Sequence, residues 1–403
     1  MHGASKKVEV PGSRTTTDFE TGTPLGARSE KNFRFYDNRQ NYLLFVNTCS
    51  EKWVVAERVS RELEAIDPAQ PAIRFFDAGI GDGTVLTRVI RQMHRRHERM
   101  PLFVAGKEIS LEDVRLFLDK VPDRLFEHPE MVIAITNISY ADAPWLCPKN
   151  AQLRARMVWK EVALKGTTSA DFERQIQELQ PFLAENWTTT VSEKTGSMIP
   201  ETPTVLVLYR DDCRFLLDRV IPKQEEKRAG YDLVLASQPF RLRASVDFKA
   251  KRVLAPLARS LRPGGRLLGI HSAGSDPGME IVQRVWPGED PFVTSRHDLV
   301  EATRRELAEE ANHFLFDPLP AARALFRYEM HTLPDEIDRA AASIGTSTLL
   351  AAWNAAVYVA QIDNERVTAA MSGPEYLEVT RSVLKKHGEL WFNDESYIIA
   401  RKH

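Results

Sequence analysis

A glycine-rich segment is the part of this sequence whose residue types and spacing best suit ligand binding. The short apolar run 73–76 ends at Asp77, and Gly79, Gly81 and Gly83 follow at alternate positions. Apolar residues then recur at helical spacing, which predicts a strand, a glycine turn and a helix. Glycines permit a tight turn and close approach of a ligand to the backbone. The free N–H groups at the start of the helix suit an anionic group such as a carboxylate.

The spacing of these glycines differs from that of a dinucleotide-binding loop, which reads GxGxxG. Counted from Gly79, the third glycine would fall on Thr84, and counted from Gly81 it would fall on Leu86. The segment instead reads GxGxG after an acidic residue. A nicotinamide dinucleotide site is therefore not indicated.

The pattern resembles motif I of the class I, Rossmann-like, S-adenosylmethionine-dependent methyltransferases. The resemblance implies S-adenosyl-L-methionine as cofactor, bound at the loop Asp77–Gly83. An acid after the second strand binds ribose hydroxyls in such folds, and Glu108 follows the loop by 25 residues. The family commonly places adenine against residues after the third strand, here Asn137 and Ile138. The segment 262–265, Arg-Pro-Gly-Gly, resembles the family's turn before the fifth strand.

A second motif follows the predicted fourth strand, where substrate meets cofactor in this family. Residues 237–240, Ser-Gln-Pro-Phe, resemble the motif of amino-methyltransferases, although Gln238 stands where Pro, Leu or Ile is usual. The resemblance implies that Ser237 orients the nucleophile and that Phe240 packs on it. His271, after the fifth strand, would be a general base for a hydroxyl nucleophile, or only a hydrogen-bonded neighbour of the pocket. Nitrogen and oxygen acceptors both stay open.

Composition excludes several classes of protein. Hydrophobic residues make up 43% and charged residues 27% of the 403, which is ordinary for a globular chain. The net charge of -2 argues against a strongly basic nucleic-acid binder. The three cysteines are far apart and the histidines lack ligand spacing, so we predict no disulfide framework and no metal site. The longest apolar run, 349–362, is shorter than the roughly 20 residues that span a bilayer. We predict a cytoplasmic protein without a signal peptide.

Apolar runs and helical repeats alternate along the chain, which predicts an α/β fold. The resemblance specifies a doubly wound, mostly parallel seven-stranded sheet whose last strand is antiparallel. It covers residues 71–142, 231–333 and 389–403, which we interpret as the cofactor-binding core. A strand is expected within 324–333 and the closing one at 395–400.

Four segments lie outside this predicted core. They are a mobile tail at 1–29, an N-terminal helical block at 30–70, an insertion at 143–230 and a helical, lid-like segment at 334–388. The insertion is too long for a simple loop and is expected to have its own structure.

Several functions remain compatible with these motifs. We favour methyl transfer to a nitrogen or oxygen of a small molecule, with the insertion and the lid-like segment covering the pocket. A nucleic-acid base amino-methyltransferase is the alternative that residues 237–240 and the basic run 88–99 favour and the net charge opposes. A non-catalytic cofactor-binding scaffold and the transfer of another group, such as aminopropyl, also remain. Oligomeric state is not readable.

Overall fold

The structure, a computed structural model, describes residues 39–193, 198–224, 226, 229–331 and 344–403. All of these residues belong to one compact unit of the chain. The predicted tail lies outside the described residues, as do parts of the insertion and of the lid-like segment. The division of the chain into core, insertion and lid-like segment stays a prediction.

Strands of the described part form one large sheet and a separate two-stranded sheet. They are β1 (Ile73–Asp77), β2 (Leu102–Lys107), β3 (Met131–Thr136), β4 (Val158–Leu164), β5 (Thr189–Val191), β6 (Met198–Pro200), β7 (Thr204–Arg210), β8 (Tyr231–Ser237), β9 (Leu261–Ser272), β10 (Phe314–Asp317), β11 (Leu325–Glu329) and β12 (Trp391–Arg401).

The helices vary from one turn to about four turns in length. They are α1 (Arg39–Thr48), α2 (Glu51–Leu63), α3 (Thr84–Arg96), α4 (Leu111–Leu118), α5 (Val121–Glu127), α6 (Ala151–Ala155), α7 (Ser169–Gln177), α8 (Gln180–Asn186), α9 (Arg214–Leu217), α10 (Val246–Lys249), α11 (Ala255–Arg259), α12 (Pro277–Val285), α13 (Arg296–Leu307), α14 (Ala321–Ala324), α15 (Thr346–Val359), α16 (Asn364–Ala370) and α17 (Glu375–His387). Within the described ranges, none of these helices combines the length and apolar character needed to span a membrane.

The large sheet has the order β10-β12-β9-β8-β1-β2-β3-β7-β4, with β11 also paired to β12. Strands β3, β2, β1, β8 and β9 are parallel and follow the 3-2-1-4-5 order of a Rossmann fold. Strand β12 is antiparallel and lies between β9 and β10. The predicted doubly wound, mostly parallel sheet with a closing antiparallel strand is therefore confirmed.

Alternate residues of the central strands enter two apolar cores, one on each face of the sheet. Phe75 and its equivalents pack with side chains of α2 to α5, including Val89 and Phe117. Phe76 packs on the opposite face with side chains of α11 and α13, including Leu257 and Val300. Because both faces are covered by helices, the parallel strands are apolar along most of their length.

The large sheet has ten strands rather than the seven expected. The insertion supplies β7, which pairs antiparallel to β3, and β4, which pairs parallel to β7. The strand expected within 324–333 is β11, which pairs with β12. Strand β10 also pairs with β12 and occupies the outer position of the sheet. The sequence pattern did not indicate β10, because it is four residues long and largely exposed.

The prediction of a turn at 262–265 before the fifth strand needs correction, because these residues lie inside β9. The pairing with β8 shifts there, from Tyr231 opposite Leu261 to Leu233 opposite Arg266. Such an irregularity lets a strand bend without leaving the sheet. A Cβ on Gly265 would lie 2.4 Å from the carbonyl oxygen of Tyr231, so the glycine permits the close approach of the two strands.

Candidate functional site

The glycine loop lies at the carboxyl end of β1, where two carboxylates bind its backbone. Asp77 Oδ1 accepts a hydrogen bond from the N–H of Gly79 at 3.0 Å. Glu108, at the end of β2, accepts one from the N–H of Gly81 at 2.8 Å. The other oxygen of Glu108 accepts from the N–H groups of Ile109 and Ser110. Both acids thus stabilise the conformation of the loop.

The three glycines of the loop have different surroundings. Gly83 has a φ of 78°, and a Cβ there would lie 2.3 Å from the ring of Phe117. Gly81 has a φ of 55°, and its Cβ would lie 3.2 Å from the hydroxyl of Tyr42. A Cβ on Gly79 would have no atom within 4 Å. Gly83 is therefore required by helix packing, whereas Gly79 borders open space.

That open space is a cavity of about 90 Å³, here called the glycine-loop cavity. It lies beyond the carboxyl ends of β1 and β8, which is where ligands bind in open α/β sheets. Helices α1 and α15 and the start of α2 cover it. Its lining includes Tyr42, Phe45, Glu51, Lys52, Asp77, Gly79, Ser237, Gln238, Ser272, Tyr328, Tyr358 and Gln361.

The ionisable groups of the cavity are strongly perturbed by burial and by each other. Burial raises the pKa of Asp77 to about 6, against the hydrogen bond from Gly79 and the charge of Lys52. Burial also raises the pKa of Glu108, together with the charge of Asp113. Burial alone would lower the pKa of Lys52, but nearby acidic groups, Glu51 foremost, hold it well above its usual value. Perturbed groups clustered in a cleft are typical of functional sites.

Of the three predicted catalytic residues, the structure places Ser237 on the cavity. Ser237 is the last residue of β8 and lines the wall opposite α1. Gln238 follows with a φ of 48°, and its side-chain amide donates to Ser272 Oγ at 3.0 Å and to Asp394 Oδ1 at 3.3 Å. Gln238, which departs from the family motif, is thus a well-ordered part of the cavity wall.

Phe240 and His271 do not line the cavity. Phe240 is buried with its ring centre 5.1 Å from Lys249 Nζ. His271 is buried as well, and its Nε2 lies 2.9 Å from Glu395 Oε1. Glu395 also pairs with Arg296 at 2.6 Å. The structure therefore separates these two side chains from Ser237 and gives them contacts in the core.

Asn137 and Ile138, the predicted adenine contacts, lie in the interior. Asn137 is 1% exposed, its Oδ1 accepts from the N–H of Thr204 at 2.8 Å, and its Nδ2 donates to the carbonyl of Thr202 at 2.9 Å. Ile138 is 3% exposed. Because β7 from the insertion covers the edge of β3, the amide of Asn137 is already engaged with protein groups.

A second cavity lies on the other side of Glu108 and is here called the Trp187 cleft. Its volume is about 340 Å³, and it is lined by Ile109, Ser110, Leu111, Glu112, Trp187, Thr188, Thr189 and Glu201. The indole of Trp187 donates to the carbonyl of Glu108 at 2.9 Å. The insertion therefore supplies half of this cleft.

Sequence analysis missed several residues that line the two cavities. Lys52 belongs to a helix whose pattern is that of an ordinary amphipathic helix, and Gln361 belongs to an apolar stretch that indicates a core helix. Trp187 lies in an insertion outside the resemblance. No local signal marks these residues, because their position depends on packing between segments far apart in the chain.

The basic run after the glycine loop is a solvent-facing part of α3 with several neighbours of opposite charge. Arg91 lies 3.6 Å from Glu127, and Arg96 lies 2.9 Å from Glu64. This arrangement is that of an ordinary charged helix face and does not favour the nucleic-acid alternative.

Comparisons with known proteins find similarity among solved structures. No family model matches this chain, and no curated protein does. Geranyl diphosphate methyltransferase in complex with GPP and sinefungin matches over 87% of this chain and 78% of its own, with 12% identity and a TM-score of 0.31. The CurJ carbon methyltransferase matches over 67% and 48%, with 10% identity and a TM-score of 0.31. PKMT2 from Rickettsia typhi in complex with AdoHcy matches over 84% and 50%, with 8% identity and a TM-score of 0.31.

These similar structures are methyltransferases. The strand order and the glycine loop at the end of β1 are observed directly. The chain therefore has the doubly wound, Rossmann-like fold that its resemblance to class I methyltransferases predicts.

Proposed function

We propose that this chain is an S-adenosylmethionine-dependent methyltransferase that acts on a small molecule. The observation that carries the proposal is the open side of Gly79, in a cavity that also holds Ser237. This cavity lies between β1 and β8, where the connections of the sheet change direction. The cofactor loop and the predicted substrate motif thus border one space.

The residues around the loop fit the chemical groups of this cofactor. Lys52 would hold the carboxylate of the methionine part and Asp77 its ammonium group, since both line the cavity. Glu108 would accept ribose hydroxyls, because a carboxylate has more acceptor sites than its three N–H partners use. The Trp187 cleft, about 340 Å³ in volume, would receive the base, which shifts the adenine site from Asn137 to the insertion.

When bound, the cofactor supplies an activated methyl group, so the protein mainly aligns the acceptor and excludes water. Ser237 and Gln238 are placed to orient an acceptor against the open side of Gly79. Helices α1 and α15 cover this wall and would exclude water. His271 has no part in this arrangement, because it lies in the core beside Glu395.

The glycine-loop cavity is small for the binding of S-adenosylmethionine. Its volume of about 90 Å³ is below the roughly 300–1,000 Å³ of typical ligand pockets. Tyr42 of α1 reaches to Gly81 and fills the space above the loop. We infer that α1 withdraws when the cofactor binds and closes again afterwards, as lids do in many enzymes.

Calorimetric titration with S-adenosylmethionine, and separately with NADH, tests the cofactor. We expect micromolar binding of S-adenosylmethionine that is lost in Gly79→Val, because a Cβ there meets no atom within 4 Å and the new side chain would occupy the cavity. Gly345→Val is the matched control, since its Cβ also meets no atom closer than 3.9 Å. Binding of NADH alone would contradict the proposal.

A product assay separates methyl transfer from the other reactions of the same cofactor. Protein that binds S-adenosylmethionine is incubated with a pool of small amines and alcohols, and products are analysed by mass. Formation of S-adenosylhomocysteine with a gain of one methylene in an acceptor supports methyl transfer. Release of methylthioadenosine would indicate transfer of the amino-carboxypropyl group instead, and binding without turnover across a broad acceptor pool would favour the scaffold.

A further inference from the structure

The wall of the glycine-loop cavity away from the loop has an excess of acidic groups. Glu51, the first residue of α2, lines the cavity and is 7% exposed. Its carboxylate lies 3.5 Å from Lys52 Nζ. Asp394 of β12 lies directly behind the wall, opposite Ser272 in the strand register. Two carboxyl groups therefore approach the same side of the cavity from different elements.

Asp394 has an incomplete set of hydrogen bonds. It has no exposed surface, and its Oδ1 accepts from the side-chain amide of Gln238 at 3.3 Å. Its Oδ2 is buried and has no partner among the described residues. Both groups beside it, Gln238 and Ser272, line the cavity. A buried oxygen left without a donor is costly, and burial raises the pKa of Asp394 well above its usual value, which favours the neutral carboxyl group.

The charges of the cavity do not balance within the described lining. Lys52 is the one cationic side chain there, against the carboxylates of Glu51 and Asp77, with Asp394 behind them. In the proposed binding mode of the cofactor, Lys52 pairs with the carboxylate of the methionine part and Asp77 pairs with its ammonium group. Glu51 then shares its one cationic neighbour, Lys52, with the cofactor, whereas burial raises the pKa of Asp394 well above its usual value and favours its neutral form. A buried negative charge is retained only when it is paired.

Aromatic rings border the same region. Phe45 packs against Tyr358 with ring centres 4.9 Å apart and against Tyr328 at 6.0 Å. All three rings line the cavity, as does Tyr42. Aromatic faces attract cations, most strongly where water is excluded. Carboxylates and aromatic rings in the lining of one cavity therefore both favour a cationic ligand.

From this juxtaposition we propose that the methyl acceptor is a cationic amine, bound between Glu51 and the rings of Phe45, Tyr328 and Tyr358. This inference rests on the proposed function and names its substrate class. Asp394 acts as a positioning residue, because its Oδ1 accepts a hydrogen bond from the amide of Gln238.

The reaction then needs one proton acceptor. An ammonium ion has no free electron pair, so the amine first gives a proton to the carboxylate of Glu51. The nitrogen pair forms the new bond to the methyl carbon, and the carbon–sulfur bond breaks with its electrons moving to sulfur. The products are the methylated ammonium ion and S-adenosylhomocysteine, and the proton on Glu51 is later released to solvent.

Paired probes of equal shape and different charge test this inference. Protein saturated with S-adenosylhomocysteine is titrated with benzylamine and benzyl alcohol, and with isoamylamine and isoamyl alcohol. We expect at least one amine to bind at least tenfold more tightly than its alcohol. Glu51→Gln should reduce this preference to less than threefold in protein that is again saturated with S-adenosylhomocysteine, with the thermal midpoint nearly unchanged.

Two further variants keep the test specific. Glu57→Gln removes an exposed carboxylate from the same helix, outside the cavity lining, and should retain the full preference. Asp394→Asn should weaken binding of the amine and of its alcohol by the same factor, because it disturbs the orientation of the Gln238 amide and does not change the charge of the cavity. Equal binding of amine and alcohol, binding of neither, or an unchanged preference in Glu51→Gln, would overturn the amine assignment alone. Failure to bind S-adenosylhomocysteine in the first step would overturn the proposed function and this inference with it.

Discussion

The glycine loop and the segment after β8 border the same cavity, but different groups determine their geometry. In the loop, positive φ angles and backbone N–H groups set the geometry, and Asp77 and Glu108 bind that backbone. After β8, the motif is defined by side chains, and only Ser237 among the predicted catalytic residues reaches the cavity. A motif that constrains the backbone therefore predicts position better than one that specifies side-chain types.

Gly83→Ala should have the largest effect and would separate the packing role of the loop from its binding role. The new Cβ would lie 2.3 Å from Phe117, at a φ of 78°. We expect a loss of roughly 3 kcal/mol or more in the free energy of unfolding, from overpacking and backbone strain. Urea unfolding measures it, with Gly79→Ala as the comparison. An unchanged unfolding midpoint in Gly83→Ala would show that the packing around α3 is wrong.

Glu108→Gln tests whether the second acid stabilises the loop. An amide has one acceptor oxygen where the carboxylate has two, so at least one N–H bond from Gly81, Ile109 or Ser110 is lost. We expect cofactor affinity to fall roughly 10- to 100-fold, since hydrogen bonds to charged groups contribute about 1.5–3 kcal/mol. Asp119→Asn, at an exposed acid near the end of α4, is the control. Equal affinities for the cofactor in both variants would show that Glu108 does not contribute to the cofactor site.

The pH dependence of stability should differ in sign between Asp77, which supports the glycine loop, and Glu395, which holds His271 in the core. The pKa of Asp77 is raised to about 6, so its ionised form destabilises the folded state above that pH and this cost disappears as the pH falls. Burial acts on Glu395 too, but His271 and Arg296 lower its pKa to about 2. Glu395 therefore contributes stability above its unfolded pKa that is lost as the pH falls from about 4.5 towards 2.

Two variants test these opposite pH dependences of stability. Asp77→Asn should stabilise the protein without cofactor by roughly 1–3 kcal/mol at pH 8, and by little near pH 4. Glu395→Gln should destabilise it at pH 8. Unfolding measured across pH 2–8 gives both curves. Two curves that change in the same direction with pH would contradict the account of one or the other site.

The smallest of these effects concerns catalysis by the second region. Ser237→Ala should lower kcat about tenfold, because it removes a group that orients the acceptor. His271→Gln should keep kcat within about threefold, whereas loss of a general base would cost 10²–10⁴-fold. Steady-state kinetics on the acceptor found in the product assay decides between these roles. A loss of 100-fold or more in the kcat of His271→Gln would show that this histidine takes part in catalysis.

The sequence was sufficient to predict the sheet of the core because its strands are short, mostly apolar runs. The run 73–76 and the later run 231–236 became β1 and β8, which lie side by side. Buried parallel strands carry this signal along their whole length. Strand β10 carried none, because its four residues are too few to show alternation and only Phe314 is fully buried.

The rest of the site depends on contacts between distant segments. Lys52 and Tyr358 border the same cavity although they are separated by about 300 residues. Asn137 fitted the family position, but the insertion strand β7 covers that edge and engages its amide. Local patterns indicate which elements form, whereas the partners of a side chain follow from how those elements pack.

Binding of S-adenosylmethionine to the wild-type chain and to Gly79→Val tests the central claim most directly. Calorimetry should give micromolar affinity for the wild type and no measurable binding for the variant, while both proteins unfold at the same urea concentration. Equal binding by the two proteins would show that the open side of Gly79 is not the cofactor site, and the assignment of the cavity would then be wrong.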